Sequence, residues 1–133
     1  MASSASPTRP GLRSYESAIV ADASTLVTEL RAALGPRLVA LLGGVTETRA
    51  VHQWADGSRQ LDDTAAESRL RLAYQLLKLI TSRDSDRVAQ AWFTGLNPKL
   101  DDVSPARLVR DGDLDEVAPR LLVSARAFAA TGG

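Results

Sequence analysis

His52 is the only histidine and there is no cysteine, so any nucleophile activated by an imidazole base would depend on this one ring. No nucleophile elbow or histidine–carboxylate motif surrounds it. It stands beside Trp54 in a stretch of helical period, and a position on the surface, or facing DNA, is the expected one. Without cysteine neither a disulfide nor a thiolate site can form, and one histidine with carboxylates is a poor zinc set. Asp111, Asp113 and Asp115 alternate as at the opening of a calcium loop. The sixth position, however, is Glu116 where the sharp turn needs glycine, and the twelfth is Leu122 where a bidentate glutamate is needed. These acids are expected to charge the start of a helix. Asp62-Asp63 and Asp101-Asp102 are sequence neighbours, which rarely face one another across a substrate. The only lysines are Lys78 and Lys99, and no glycine-rich loop resembles a phosphate cradle. The expectation is a protein that is not an enzyme and holds no metal or cofactor.

The elements that would position these residues read as helices throughout. Residues 1–12 are rich in small residues, serine and proline and are expected to form a disordered tail. From Ser14 to Leu34 the spacing of Ile19, Val20, Leu26, Val27, Leu30 and Ala33 predicts a helix, stopped by Gly35-Pro36. Pro36 suits a first helical position, and Leu38, Val39, Leu41 and Leu42 follow before Gly43-Gly44. Thr46 is expected to cap a third helix, with Ala50, Val51 and Trp54 on one side, ending near Gly57. Thr64-Ala-Ala-Glu67 reads as a capping box opening the longest helix, to about Thr81. Leu70, Leu72, Leu76, Leu77, Leu79 and Ile80 surround that helix almost completely, so burial on more than one side and a homodimer interface are expected. Asp84 is expected to cap a helix carrying Val88, Ala91, Trp92 and Phe93, ended by Gly95-Leu-Asn-Pro98. Ser104-Pro105 starts a short helix closed by Gly112. Asp113-Leu-Asp-Glu116 reads as a second capping box before a last helix kinked by Pro119, or beginning in earnest only there. The fold class is all-α.

Composition narrows the function classes. The chain has 133 residues, 44% hydrophobic and 24% charged, room for one core, or for one core plus a small appended module, and no more. Sixteen Lys plus Arg balance sixteen Asp plus Glu, which gives no global field for nucleic acid or membrane, so any DNA contact must be local. No apolar run approaches the roughly 20 residues of a membrane span, and no secretory signal stretch is present; the expected location is cytoplasmic, away from membranes.

The run from Leu38 to Trp54 resembles a helix-turn-helix of the Xre type. Ala40 would pack inward, a glycine would make the turn, and Val51 and Trp54 would anchor the second helix. The interval from Gly44 to Trp54 is one residue longer than usual. The resemblance implies that Thr46, Thr48, Arg49, His52 and Gln53 face the major groove, with Arg49 and Arg59 as phosphate contacts.

Trp92, Asn97, Pro98, Leu100, Pro105, Leu108 and Gly112 follow the pattern of the toxin-binding domain of the Xre/MbcA/ParS antitoxin family, with Leu96 where that pattern has proline. Most of these positions also have a structural purpose: Trp92 and Leu108 should pack in the core, Asn97 should hold a turn, and Ser104-Pro105 should start a helix. The resemblance implies three regions: a tail over 1–12, a helix-turn-helix region with a long core helix over 13–82, and a toxin-binding domain over 83–133. It implies a partner, a RES-domain toxin that degrades NAD, silenced when the C-terminal segment covers its NAD pocket. Ala125, Arg126, Ala127, Phe128 and Gly133 would make that contact. Repression of its own operon would accompany this role, and a stand-alone helix-turn-helix repressor is the alternative.

Overall fold

The computed structural model describes residues 22–131; the expected tail, the stretch Ser14–Ala21 and Gly133 lie outside them. Among the described residues are seven α-helices and one 3-10 turn: α1 (Ala23–Leu34), α2 (Pro36–Gly43), α3 (Thr48–Asp56), α4 (Thr64–Thr81), α5 (Asp86–Thr94), the 3-10 turn Pro98–Leu100, α6 (Pro105–Asp111) and α7 (Leu114–Thr131). The all-helical class is therefore observed.

The glycine punctuation is conformational at the first two turns. Gly35 has φ of 89°, which lets Pro36 begin α2 directly after α1. Gly44 has φ of 82°, in the left-handed region, and its N–H returns to the α2 carbonyls of Ala40 and Leu41. The Arg69 guanidinium fills the space beside it, and Arg69 Nη2 donates to the Gly43 carbonyl at 2.8 Å.

Three expected helix starts are corrected. Glu47, and not Thr46, occupies the cap position of α3, and no side chain caps that helix. Asp63 rather than Thr64 caps α4, its Oδ1 accepting from the Ala65 and Ala66 amides at 2.9 and 3.3 Å. The reciprocal half of a capping box does not form because Glu67 turns forward to Arg71, at 2.9 Å. Ser85 rather than Asp84 caps α5, through a 3.2 Å bond from the Val88 amide. Asp84 still belongs to the closing turn of α4, where its N–H donates to the Ile80 carbonyl. The last helix, α7, starts at Leu114, directly after Asp113 where the sequence places its opening, and not at Pro119. Asp113 Oδ1 accepts from the Asp115 amide at 3.0 Å. Pro119 deprives only the Asp115 carbonyl of a donor, and Asp115 is exposed, so water can supply one.

One apolar core runs from Leu26 of α1 to Ala125 of α7. The helix α4 lies in its middle, packed against α1, α2, α5, α6 and α7. Its apolar surround is thus accounted for by its own chain, which removes that ground for a homodimer. The expected division near residue 82 is a turn in the chain, and the core continues across it. Cross-links between distant segments include Gln90 Nε2 donating to the Ala33 carbonyl at 2.8 Å and Tyr74 Oη donating to Glu29 Oε1 at 3.0 Å. Burial first, and then the carboxylate partner Glu29, push the Tyr74 hydroxyl above its ordinary value.

Candidate functional site

Two faces gather the residues singled out by sequence. The first is a groove between α5, the turn after it and α7. Its floor is set by Trp92, buried and packed edge-on against Phe93 with ring centroids 5.2 Å apart. The indole N–H of Trp92 is buried without an acceptor among the described residues. Asn97 holds the turn three ways. Its Oδ1 accepts from the Lys99 amide at 2.9 Å, its carbonyl accepts from Leu100 and Asp102, and its Nδ2 donates to Ser124 Oγ of α7 at 3.1 Å. The same turn carries Asp101 and Asp102 at φ of 59° and 62°, a conformation that side chains with short polar groups tolerate. Leu100 is buried beneath it.

Beyond the turn, Ser104 Oγ accepts from the Arg107 amide at 3.2 Å and buried Pro105 opens α6. Leu108 is half-buried against the core rather than fully enclosed. At Gly112 a Cβ would meet the Leu108 carbonyl at 2.6 Å. Trp92, Asn97, Leu100, Pro105 and Gly112 therefore have structural purposes of their own, and for Trp92, Asn97 and Pro105 they are those the sequence suggested.

The groove encloses about 520 Å³ and brings Val88, Trp92, Leu96, Asn97, Pro98 and Lys99 opposite Ser124, Ala127, Phe128 and Thr131. A shallower cleft beside it, formed by Pro119, Arg120 and Val123, shares Lys99 and Ser124 with it. Leu96 is 75% exposed and Val123 62%, so large apolar side chains stand unpartnered along this face. Sequence reasoning missed both. A leucine in a glycine-asparagine-proline turn was the available signal, as was a valine off the apolar face that Leu121 and Ala125 define.

The expected toxin-contact residues divide. Ala127 and Phe128 line the groove, half-buried. Ala125 is 0% exposed: it lies four residues from buried Leu121 on the core side of α7 and is not available for contact. Arg126 is exposed on another side of α7, beside Tyr74 and Leu122. Residues 125–131 form the last turns of α7 rather than a separate segment.

The second face surrounds the start of α3. Thr46, Arg49 and Arg59 meet around one hollow there, with Val45 and Glu47. Arg59 lies over the Trp54 ring, 5.9 Å from its centroid. His52 is exposed, and Thr48 and Gln53 are half-buried. His52 leans to the α1 side, where its Nδ1 accepts from Arg31 Nη1 at 2.9 Å. At the far end of α3 the hydroxyl and backbone N–H of Ser58 hold the Asp56 carboxyl below its usual value. A third hollow, which sequence reasoning did not foresee, joins Arg37 of α2 to Arg107 and Arg110 of α6.

Among the described residues no group of three or more His, Cys, Asp or Glu could hold a metal ion, and no helix is long and apolar enough to cross a membrane. Set beside known proteins, the chain matches no family model, no curated protein and no solved structure.

Proposed function

We propose that this chain is an antitoxin of the Xre/MbcA/ParS type, which binds a RES-domain toxin and keeps NAD from its pocket. The observation that carries the reading is the groove. Trp92, Asn97 and Pro98 of the motif stand across from Ala127 and Phe128 of the C-terminal helix, although about thirty residues separate them in sequence. An apolar floor rimmed by Asn97 and Lys99 has the anatomy of a protein-binding surface. Thr131, the last described residue, stands on its rim. In this fold the contact is made by a helix face with its turn.

The test is co-expression with the enzyme encoded beside this chain, followed by pull-down and an assay of cellular NAD. The expected result is a stable complex and preserved NAD. Leu96→Asp, at an exposed position, should leave the circular dichroism unchanged and weaken the complex at least about thirtyfold, the value of a central apolar anchor. The reading fails if no complex forms and NAD falls regardless, or if the Leu96→Asp protein silences the enzyme as well as the parent does.

A second reading, contact with operator DNA, is favoured by the meeting of Thr46, Arg49 and Arg59 at the uncapped start of α3. First-turn amides without a side-chain cap favour a phosphate. Helix-turn-helix proteins commonly read two half-sites with two copies, which is a separate ground for a homodimer.

A further inference from the structure

We propose that α6 belongs to the DNA-contacting face: Arg107 and Arg110, with Arg37 of α2, form a cleft that grips the phosphate backbone of duplex DNA beside the first turn of α3. The proposal rests on the DNA reading above and adds to it a contribution from the part of the chain assigned to toxin binding.

The cleft encloses about 530 Å³ between α2, the turn after it, the start of α3 and α6. Three guanidinium groups face it against one carboxylate, Asp111. It shares Val45 and Thr46 with the hollow that holds Arg49 and Arg59 against Glu47. Five arginines and two acids thus line one continuous surface, in a chain whose sixteen basic and sixteen acidic residues otherwise cancel. Such a line of charge across adjoining hollows suits the repeating charge of a nucleic-acid strand better than a single small anion.

The two α6 arginines are held differently. Arg110 is anchored, its Nη1 donating to the Leu41 carbonyl at the end of α2 at 3.1 Å. Only 29% of its side chain is exposed, so its fork is positioned before any ligand arrives. Arg107 is 73% exposed and pairs with Asp111, four residues on, at 3.4 Å. An exposed pair of this kind is worth little, so a phosphate can replace the carboxylate and gain the bidentate geometry that guanidinium offers.

The experiment titrates two labelled duplexes, one carrying the DNA immediately upstream of this chain's own reading frame and one scrambled, by fluorescence anisotropy over a salt series. Arg37→Ala and Arg107→Ala, both at exposed positions, should weaken both duplexes alike. The expected loss is about five- to tenfold at ~0.1 M salt, with the salt slope reduced by about one for each phosphate no longer neutralised. Asp111→Asn, which removes the competing carboxylate, should tighten binding. If Arg49→Ala weakens binding while Arg37→Ala and Arg107→Ala change neither affinity nor slope, the cleft proposal is overturned and the DNA reading stands. If the parent protein binds neither duplex, both fall. Displacement of the duplex by low-millimolar inorganic phosphate would mark a small-anion site and overturn the proposal too.

Discussion

Gly112 shows how a motif residue can be indispensable without touching a partner. Its φ of −82° is open to any residue, so conformational freedom is not the reason for glycine. The reason is space: a methyl group there would lie 2.6 Å from the Leu108 carbonyl and 2.8 Å from Val117 Cγ1. Gly112→Ala should therefore cost about 2 kcal/mol, seen as a lower urea midpoint, because α6 and α7 must part to admit the methyl. At this scale the sequence was informative about Asn97 and Pro105, whose chemistry is tied to turns and helix starts, and silent on the close approach that Gly112 permits. It misled at Ala125. A small residue near a chain end suits either a contact surface or a core, and only its spacing from Leu121 marks the core side.

At the scale of elements, the start of α4 separates two accounts of one helix. Asp63 accepts two backbone bonds, whereas Thr64 is exposed and already helical. Asp63→Ala should cost about 1 kcal/mol and Thr64→Ala a few tenths at most, compared by thermal unfolding. A true Thr64 capping box would reverse that order. The cap decides where α4 begins, but burial decides that it exists. Leu70, Leu72, Leu76, Leu77 and Ile80 are all buried, and at about 2 kcal/mol each they outweigh the cap roughly tenfold. This explains why helix existence was legible from periodicity while the starts of α3, α4 and α5 were each off by one residue, and only those marked by Pro36, Ser104-Pro105 and Asp113 were placed as expected. Periodicity reports a whole face of the helix, and a start depends on one side chain choosing between backbone and charged neighbour, as Glu67 does with Arg71.

Across the whole molecule, what sequence could not show was which distant segments meet. Arg110 and the Leu41 carbonyl are 69 residues apart, and no local pattern links them. The sequence also left open one core or a core with an appended module, whereas the helices before and after residue 82 share a single core. That sharing has a direct test, since Trp54 lies in α3 and Trp92 in α5. Single-tryptophan proteins, Trp54→Phe and Trp92→Phe, should each unfold in urea with a fluorescence midpoint that coincides with the loss of helicity by circular dichroism. In either protein, an indole signal changing well before the helix signal would show two independent bodies. The central place of α4 also bears on how the chain is made. The wall of the core opposite α1 and α2 includes Leu121 and Ala125 of α7, which leave the ribosome well after α4. Until they emerge, α4 keeps an apolar side uncovered, and the nascent protein is open to proteases and to aggregation. Folding of the core thus waits for synthesis through α7, and chains that stop before it would keep that apolar side uncovered and be cleared.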